Sequence, residues 1–328
     1  MNSKKNILVM GTGGTIAGKG EEGVTGHYKS AQVKINNLIE EIPYIKSIAN
    51  VQCEDVYTID SCDLTIENLK YLADHINEAA EREDIDGIVV THGTDTLEET
   101  AYFLNLTVKT KKPVVLTGSI RPGTAISADG PLNLYQSIAL AANKEAKNKG
   151  VLVCFNDAIY SARDVSKVNT FRTQAFGAKD LGCLGYMQYD KPFFYTSTVK
   201  KHTYETEFDV KNKKEFPKVE IVYFYTGADP KILKCAAENA DGIVIAGAGC
   251  GGVNSEMNKV IENLLKEGFP VVRSSRVGNG LVTFDEEEIE TQGICANNLN
   301  PQKSRILLIL ALTATKNLHE IQKIFNIY

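Results

Sequence analysis

Short runs of apolar, β-branched residues alternate along the chain with stretches in which apolar side chains recur every three or four positions. NILVM (6–10), VQCEDVYT (51–58), DGIVV (86–90), KPVVLTG (112–118) and GVLVCF (150–155) read as strands. VEIVYFY (219–225), DGIVIAG (241–247) and FPVVRSS (269–275) repeat the pattern later. Between them, TIENLKYLADHINEAAER (65–82) places Ile66, Leu69, Leu72, Ala73, Ile76 and Ala80 on one helical stripe. PLNLYQSIALAANKEA (131–146) and SEMNKVIENLLKEG (255–268) behave alike, the latter closed by Gly268 and Pro270. Strands alternating with helices predict an α/β protein with a mostly parallel sheet.

The rhythm breaks between about 170 and 217, where DKPFFYTSTVKKHTYETEFDVKNKKEFP (190–217) is charged, aromatic and without aliphatic period. This places a larger N-terminal α/β domain at 1–190, a linker at 191–212 and a smaller C-terminal α/β domain at 213–328. A chain of 328 residues is long enough for two cores. With 43% apolar and 23% charged residues the composition is that of a soluble globular protein. A net charge of −5, with acids and bases interspersed, argues against nucleic acid or an anionic membrane as partner. SRILLILALTA (304–314) is too short to span a bilayer, which takes about 18 or more apolar residues. The seven dispersed cysteines form no CxxC pair, and the N-terminus has no apolar region of signal-peptide length, so a cytoplasmic location is expected.

Candidate chemistry begins at GTGGTIAG (11–18), directly after the first strand. A dinucleotide fingerprint would open a helix there, but Gly11, Gly13, Gly14 and Gly18 lack its spacing. The following KGEEGVTGHYKSAQ (19–32) has no helical period, reads as a polar flap, and delays the first helix to about Ser30. A second signal, THGTDTLEETA (91–101), fits a helix capping box as Thr96 to Glu99 or Asp95 to Glu98. A cap does not account for Thr91, His92, Thr94, Asp95 and Thr96 together at the carboxyl end of a strand, where open α/β sheets bind ligands. A third segment, SARDVSKVNT (161–170), follows GVLVCF and carries Lys167, which taken alone reads as a surface lysine. The five histidines lie apart and no metal-ligand spacing, Walker motif or GxSxG elbow occurs, so neither metal nor cofactor is expected. Hydroxyls, one lysine and carboxylates at strand ends are the materials of covalent acyl transfer.

TGGTIAG (12–18), THGTDT (91–96), TGSIRPGTAISADGPLNLY (117–135), RDVSKVNT (163–170), VVRSSRVGNG (271–280) and LNPQKSRILLILALT (299–313) together resemble the bacterial-type L-asparaginases. The likeness runs from residue 6 to residue 328 and is strongest to the type II branch. It implies a flavodoxin-like N-terminal domain, a smaller C-terminal α/β domain, and a homotetramer built as a dimer of intimate dimers. It also implies hydrolysis of L-asparagine to aspartate and ammonia through an acyl-enzyme, with minor glutaminase activity. Position by position, Thr15 matches the nucleophile, with Gly14 beside it, and Tyr28 its flap partner. Thr94, Lys167 and Asp95 match a second hydroxyl–lysine–carboxylate set. Ser61 and Asp95 match holders of the substrate's α-carboxylate and α-ammonium, and Gly93 and Ser119 match positions lining the pocket. FDEEEIE (284–290) offers Glu286 or Glu287 to a neighbouring subunit's site, with Glu287 the favoured match. Cys62 stands where this branch commonly has Gln, and Gly252 where it often has Asn.

Overall fold

The structure is a computed structural model that describes residues 4–20, 28–29 and 32–328; the side chains of Tyr28 and Glu286 lie outside the described residues, as does most of the expected flap. The chain forms two compact units, Met1–Lys211 and Asn212–Tyr328.

The first unit is built on an eight-stranded sheet. Its strands are β1 (Lys5–Gly13), β2 (Ala49–Ile59), β3 (Gly87–Thr91), β4 (Val114–Thr117), β5 (Val151–Phe155), β6 (Ala158–Ser161), β7 (Gly185–Gln188) and β8 (Lys191–Phe194). They lie in the order β8-β7-β6-β5-β4-β3-β1-β2. Strands β2-β1-β3-β4-β5 are mutually parallel and give the flavodoxin-type order, which reverses direction between β1 and β3. The remaining pairings, β5 to β8, are antiparallel.

The central strands read as unbroken apolar runs because both faces are covered. Ile7, Val9, Val89, Val115 and Leu152 pack with Leu134, Ile138 and Leu140 of the helix Gly130–Ala142. Alternate residues such as Leu8, Met10, Ile88 and Val90 are also buried, toward the opposite face. The two longest of the described helices that precede Gly130–Ala142 are α1 (Ile66–Glu81) and α2 (Leu97–Thr107). Thr65 and Asn68 close a reciprocal capping box at the start of α1. Its stripe of Leu69, Leu72, Ala73 and Ile76 is buried as the period predicts, but it ends on Ala79 rather than Ala80. α2 differs, with ten of its eleven residues buried, polar ones included.

Three expectations are revised. The segment 191–212 contains the sheet-edge strand β8 and a 3-10 turn at Thr203–Glu205. Its lack of aliphatic period reflects an edge strand with one wet face, buried only at Pro192 among its four residues. Between the strand GVLVCF and Lys167 lies β6, a strand absent from the sequence pattern. Asn156 and Asp157, both at positive φ (48° and 64°), make a tight hairpin turn that sends the chain back as β6. The first described helix begins at Ile35, later than the pattern suggested.

In the second unit, β9 (Val219–Tyr223), β10 (Gly242–Gly247), β11 (Val271–Ser275) and β12 (Ile294–Cys295) form a parallel sheet. Leu233 of helix Lys231–Glu238 and Met257, Ile261 and Leu265 of helix Ser255–Lys266 pack on Val222, Ile243 and Ile245. Helix Pro301–Leu312, buried along Ile306–Leu312, lies against β9, β10 and β11.

Candidate active site

The carboxyl ends of β1 and β3 flank the point where the strand order reverses, the crevice in which such sheets hold ligands. The loops leaving them touch through backbone. A Cβ added to Gly14 would lie 2.4 Å from the Cα and N of Gly93, and Gly14 has φ +79°. A Cβ on Gly93 would lie 2.6 Å from Ser61 Oγ. The glycines therefore let three strand-end segments close on one another, bringing the segments of Thr15, Thr94 and Ser61 together.

The two threonines of the glycine turn part company. Thr12 is buried and its Oγ1 donates to the Thr91 carbonyl at 2.8 Å, tying β1 to β3. Thr15 opens a single 3-10 turn, Thr15–Ala17, and is half-buried. No long helix follows; the chain passes into a two-residue ribbon pairing Gly20 with Tyr28, which sets the Tyr28 backbone opposite the residue leaving the turn.

Lys167 is no surface lysine. Its side chain is 17% exposed and its Nζ donates to Thr94 Oγ1 at 2.9 Å and to Asp95 Oδ1. Because Thr94 Oγ1 accepts from Lys167, its own O–H is left to donate elsewhere. Asp95 is exposed, and its second oxygen receives the Cys62 thiol at 3.6 Å. Cys62 is held protonated above the ordinary thiol range, first by burial and then by the charge of Asp95. Ser61 is buried in a 3-10 turn, and its carbonyl receives Thr96 Oγ1 at 2.8 Å. The capping box the pattern fits at Thr96 does not form: Thr96 is the N-cap of α2, but its Oγ1 is directed to the Ser61 carbonyl and accepts no N–H of the first turn. Ser119 is fully buried and donates to the Arg121 carbonyl at 2.8 Å, so only its lone pairs remain for a ligand. Glu287 is exposed on the 3-10 turn Glu286–Glu288 of the second unit.

Two buried groups at the site carried a weak signal or none. Glu98, 6% exposed, accepts the Lys167 backbone N–H at 2.6 Å. The sequence offered it only as a cap; the missed clue is a carboxylate one turn from the apolar run Ala101–Leu104 of a helix buried on nearly every side. His92 is fully buried, with Nδ1 2.7 Å from the Gly93 carbonyl and Nε2 2.9 Å from Thr100 Oγ1. A carbonyl only accepts, so Nδ1 carries the proton and Thr100 donates to Nε2. Burial lowers the pKa of His92 to about 4, so the ring is neutral at ordinary pH.

Among the described residues, no group of three or more His, Cys, Asp or Glu is arranged to hold a metal ion, and no helix is long and apolar enough to cross a membrane.

Comparison with known proteins matches residues 6–200 to the family Asparaginase, N-terminal, and residues 218–325 to the Glutaminase/Asparaginase C-terminal domain. The L-asparaginase 2 of Bacillus subtilis (strain 168) is 47% identical over 325 residues, covering 98% of this chain and 86% of that protein. The glutaminase-asparaginase of Pseudomonas fluorescens biotype A is 44% identical over 325 residues, covering 98% and 90% respectively. A solved structure of a probable cytoplasmic L-asparaginase from Campylobacter jejuni superposes with a TM-score of 0.95 at 46% identity, covering 99% of this chain and 100% of that one.

Proposed function

The chain belongs to the asparaginase family of amide hydrolases, and from that premise we propose that it releases ammonia from L-asparagine through Thr15, with minor activity on glutamine. The observation that carries the mechanism is the Lys167 Nζ–Thr94 Oγ1 bond of 2.9 Å, shared with Asp95 and set at the β1/β3 reversal beside Thr15.

As Thr15 attacks the side-chain carbonyl, its hydroxyl loses a proton and the departing nitrogen gains one. Thr94, its oxygen already accepting from Lys167, hands its proton to the nitrogen and takes one from Nζ. Asp95 keeps the lysine in place. The Thr15 proton passes to solvent by relay through Tyr28, the partner the family resemblance assigns, and returns by the same route in deacylation. Water then opens the ester; its proton returns through Thr94 to Lys167, and Thr15 recovers its own. Backbone N–H groups of the glycine turn receive the oxyanion, a preorganised contribution that does not rely on solvent. Ser61 and Asp95 hold the amino-acid head group, with Gly14, Gly93 and Ser119 as walls. The α-ammonium has to displace the Cys62 thiol from Asp95 Oδ2, where a charged donor outcompetes a weak S–H.

Glu287 of a second copy completes the site, which makes the working form at least a dimer; the family resemblance extends this to a homotetramer built as a dimer of intimate dimers. The seven cysteines are all free, which fits a reducing cytoplasm. Neither cofactor, nucleic acid nor membrane has a part in this reading.

Ammonia release from asparagine and glutamine tests it. Thr15→Ala is expected to lower kcat by roughly 10³-fold or more, as loss of one member of a nucleophile–base unit does. Near-normal turnover in that variant would overturn the assignment.

A further inference from the structure

One short segment holds Lys167 at both ends. Thr94 and Asp95, just before α2, bind its Nζ, while Glu98, in the first turn of α2, accepts its backbone N–H at 2.6 Å. Lys167 lies in a two-residue ribbon, Ser166–Lys167, opposite Phe176–Gly177. Its neighbour Val168 donates across that ribbon to the Ala175 carbonyl at 2.7 Å, but Lys167 N turns to the carboxylate instead. A buried charged acceptor on a peptide N–H gives a short, strong bond, and leaving that carboxylate without hydrogen bonds would be costly.

We propose that Glu98 is a positioning residue for catalysis: it fixes the backbone of Lys167 so that Nζ meets Thr94 with α2 as the common frame. The proposal rests on the reading of Lys167 as the proton carrier of the site. It has a specific geometric content. A lysine side chain reaches its target through four methylenes, each a source of play, so one fixed end leaves the ammonium free to wander. With the N–H held by Glu98 and Nζ held by Thr94 and Asp95, three residues of a single segment clamp the whole side chain. Release of the backbone end is a displacement of the order of 1 Å at the reacting group, worth about 10²-fold in rate.

The test compares Glu98→Ala, Glu98→Gln, Lys167→Met and the double variant Glu98→Ala/Lys167→Met, each checked for folding. Kinetics on asparagine are combined with hydrogen exchange at the Lys167 amide. Glu98→Ala is expected to lower kcat about 10²-fold, keep KM within about threefold, and expose the Lys167 amide to exchange. Glu98→Gln keeps an oxygen for the N–H and is expected to retain at least roughly a third of kcat with the amide still protected. In the Lys167→Met background, Glu98→Ala should cost less than about threefold more, because its effect passes through the lysine. Near-normal kcat in Glu98→Ala, equal losses in the Gln and Ala variants, or fully independent effects would each overturn the proposal. If Glu98→Ala does not fold, Glu98→Gln decides alone: retained kcat with a protected amide supports positioning, and a 10²-fold loss refutes it. Normal turnover in Lys167→Met would instead refute the proton-carrier reading, a separate result.

Discussion

Lys167 and Arg273 are both cations withdrawn from water, one in each unit, and they are held in opposite ways. Lys167 faces a carboxylate and a hydroxyl, and its side chain keeps 17% exposure. Arg273 is 2% exposed, and the acceptors its guanidinium meets are neutral: the Gln292 carbonyl at 2.8 Å, the Gly251 carbonyl at 3.2 Å and Asn258 Oδ1 at 2.7 Å. Burial lowers its pKa to about 10, still far above physiological pH. A fixed charge on a planar fork suits tying three chain segments together, since guanidinium cannot lose its proton and its donors point in set directions. An ammonium beside a hydroxyl and a half-wet carboxylate suits moving protons. The same sign of charge therefore serves architecture in one unit and, on the proposed mechanism, chemistry in the other, and the partners decide which.

This contrast can be broken by experiment. Lys167→Met is expected to lower kcat by about 10³-fold or more, while the melting temperature moves by only a few degrees. Equal loss of stability and activity would erase the distinction. Arg273→Met removes the donor from one buried acceptor, the Gly251 carbonyl, and from two half-buried ones, the Gln292 carbonyl and Asn258 Oδ1, so urea unfolding should show a loss of about 1–3 kcal/mol. Turnover per folded molecule should stay within a few-fold of the parent; a larger fall would place Arg273 on the chemical side of the comparison.

His92 is a third solution, a group that sheds its charge on burial. Its folded pKa of about 4 lies below the free value of 6.5, so between these pH values the unfolded chain binds a proton that the folded chain does not. Stability from this residue is present above about pH 6.5 and declines as pH falls toward 4, by about 3 kcal/mol in all. Comparing urea unfolding at pH 7 and near 4 for the parent and His92→Gln measures it. An identical pH slope in both proteins would show that His92 is not the titrating group.

Much of the first unit was legible in sequence because its signals are local. The apolar runs at 6–10, 86–90 and 150–155 became central strands, and Leu69, Leu72, Ala73 and Ile76 of the predicted stripe became the buried face of α1. The edge strand β8 and its neighbour β7 were not legible, since a partly wet strand has neither an unbroken apolar run nor helical period. The threonines at strand ends stood out for the same local reason. Tertiary structure then separated Thr12, a tie between strands, from Thr15, which is half-buried at the start of the 3-10 turn.

What the sequence determined by itself is the order of strands and helices, the polar loops at strand ends, and the kinds of side chain available there. What only the tertiary structure decided is who meets whom. Lys167 meets Glu98 across 69 residues, Thr96 meets Ser61 across 35, and Thr12 meets Thr91 across 79. None of these pairs shares a helix turn or a hairpin, so no periodicity encodes them. They arise because parallel strands deliver their carboxyl ends to one edge of the sheet, and because Gly14 and Gly93 carry no Cβ to hold those ends apart.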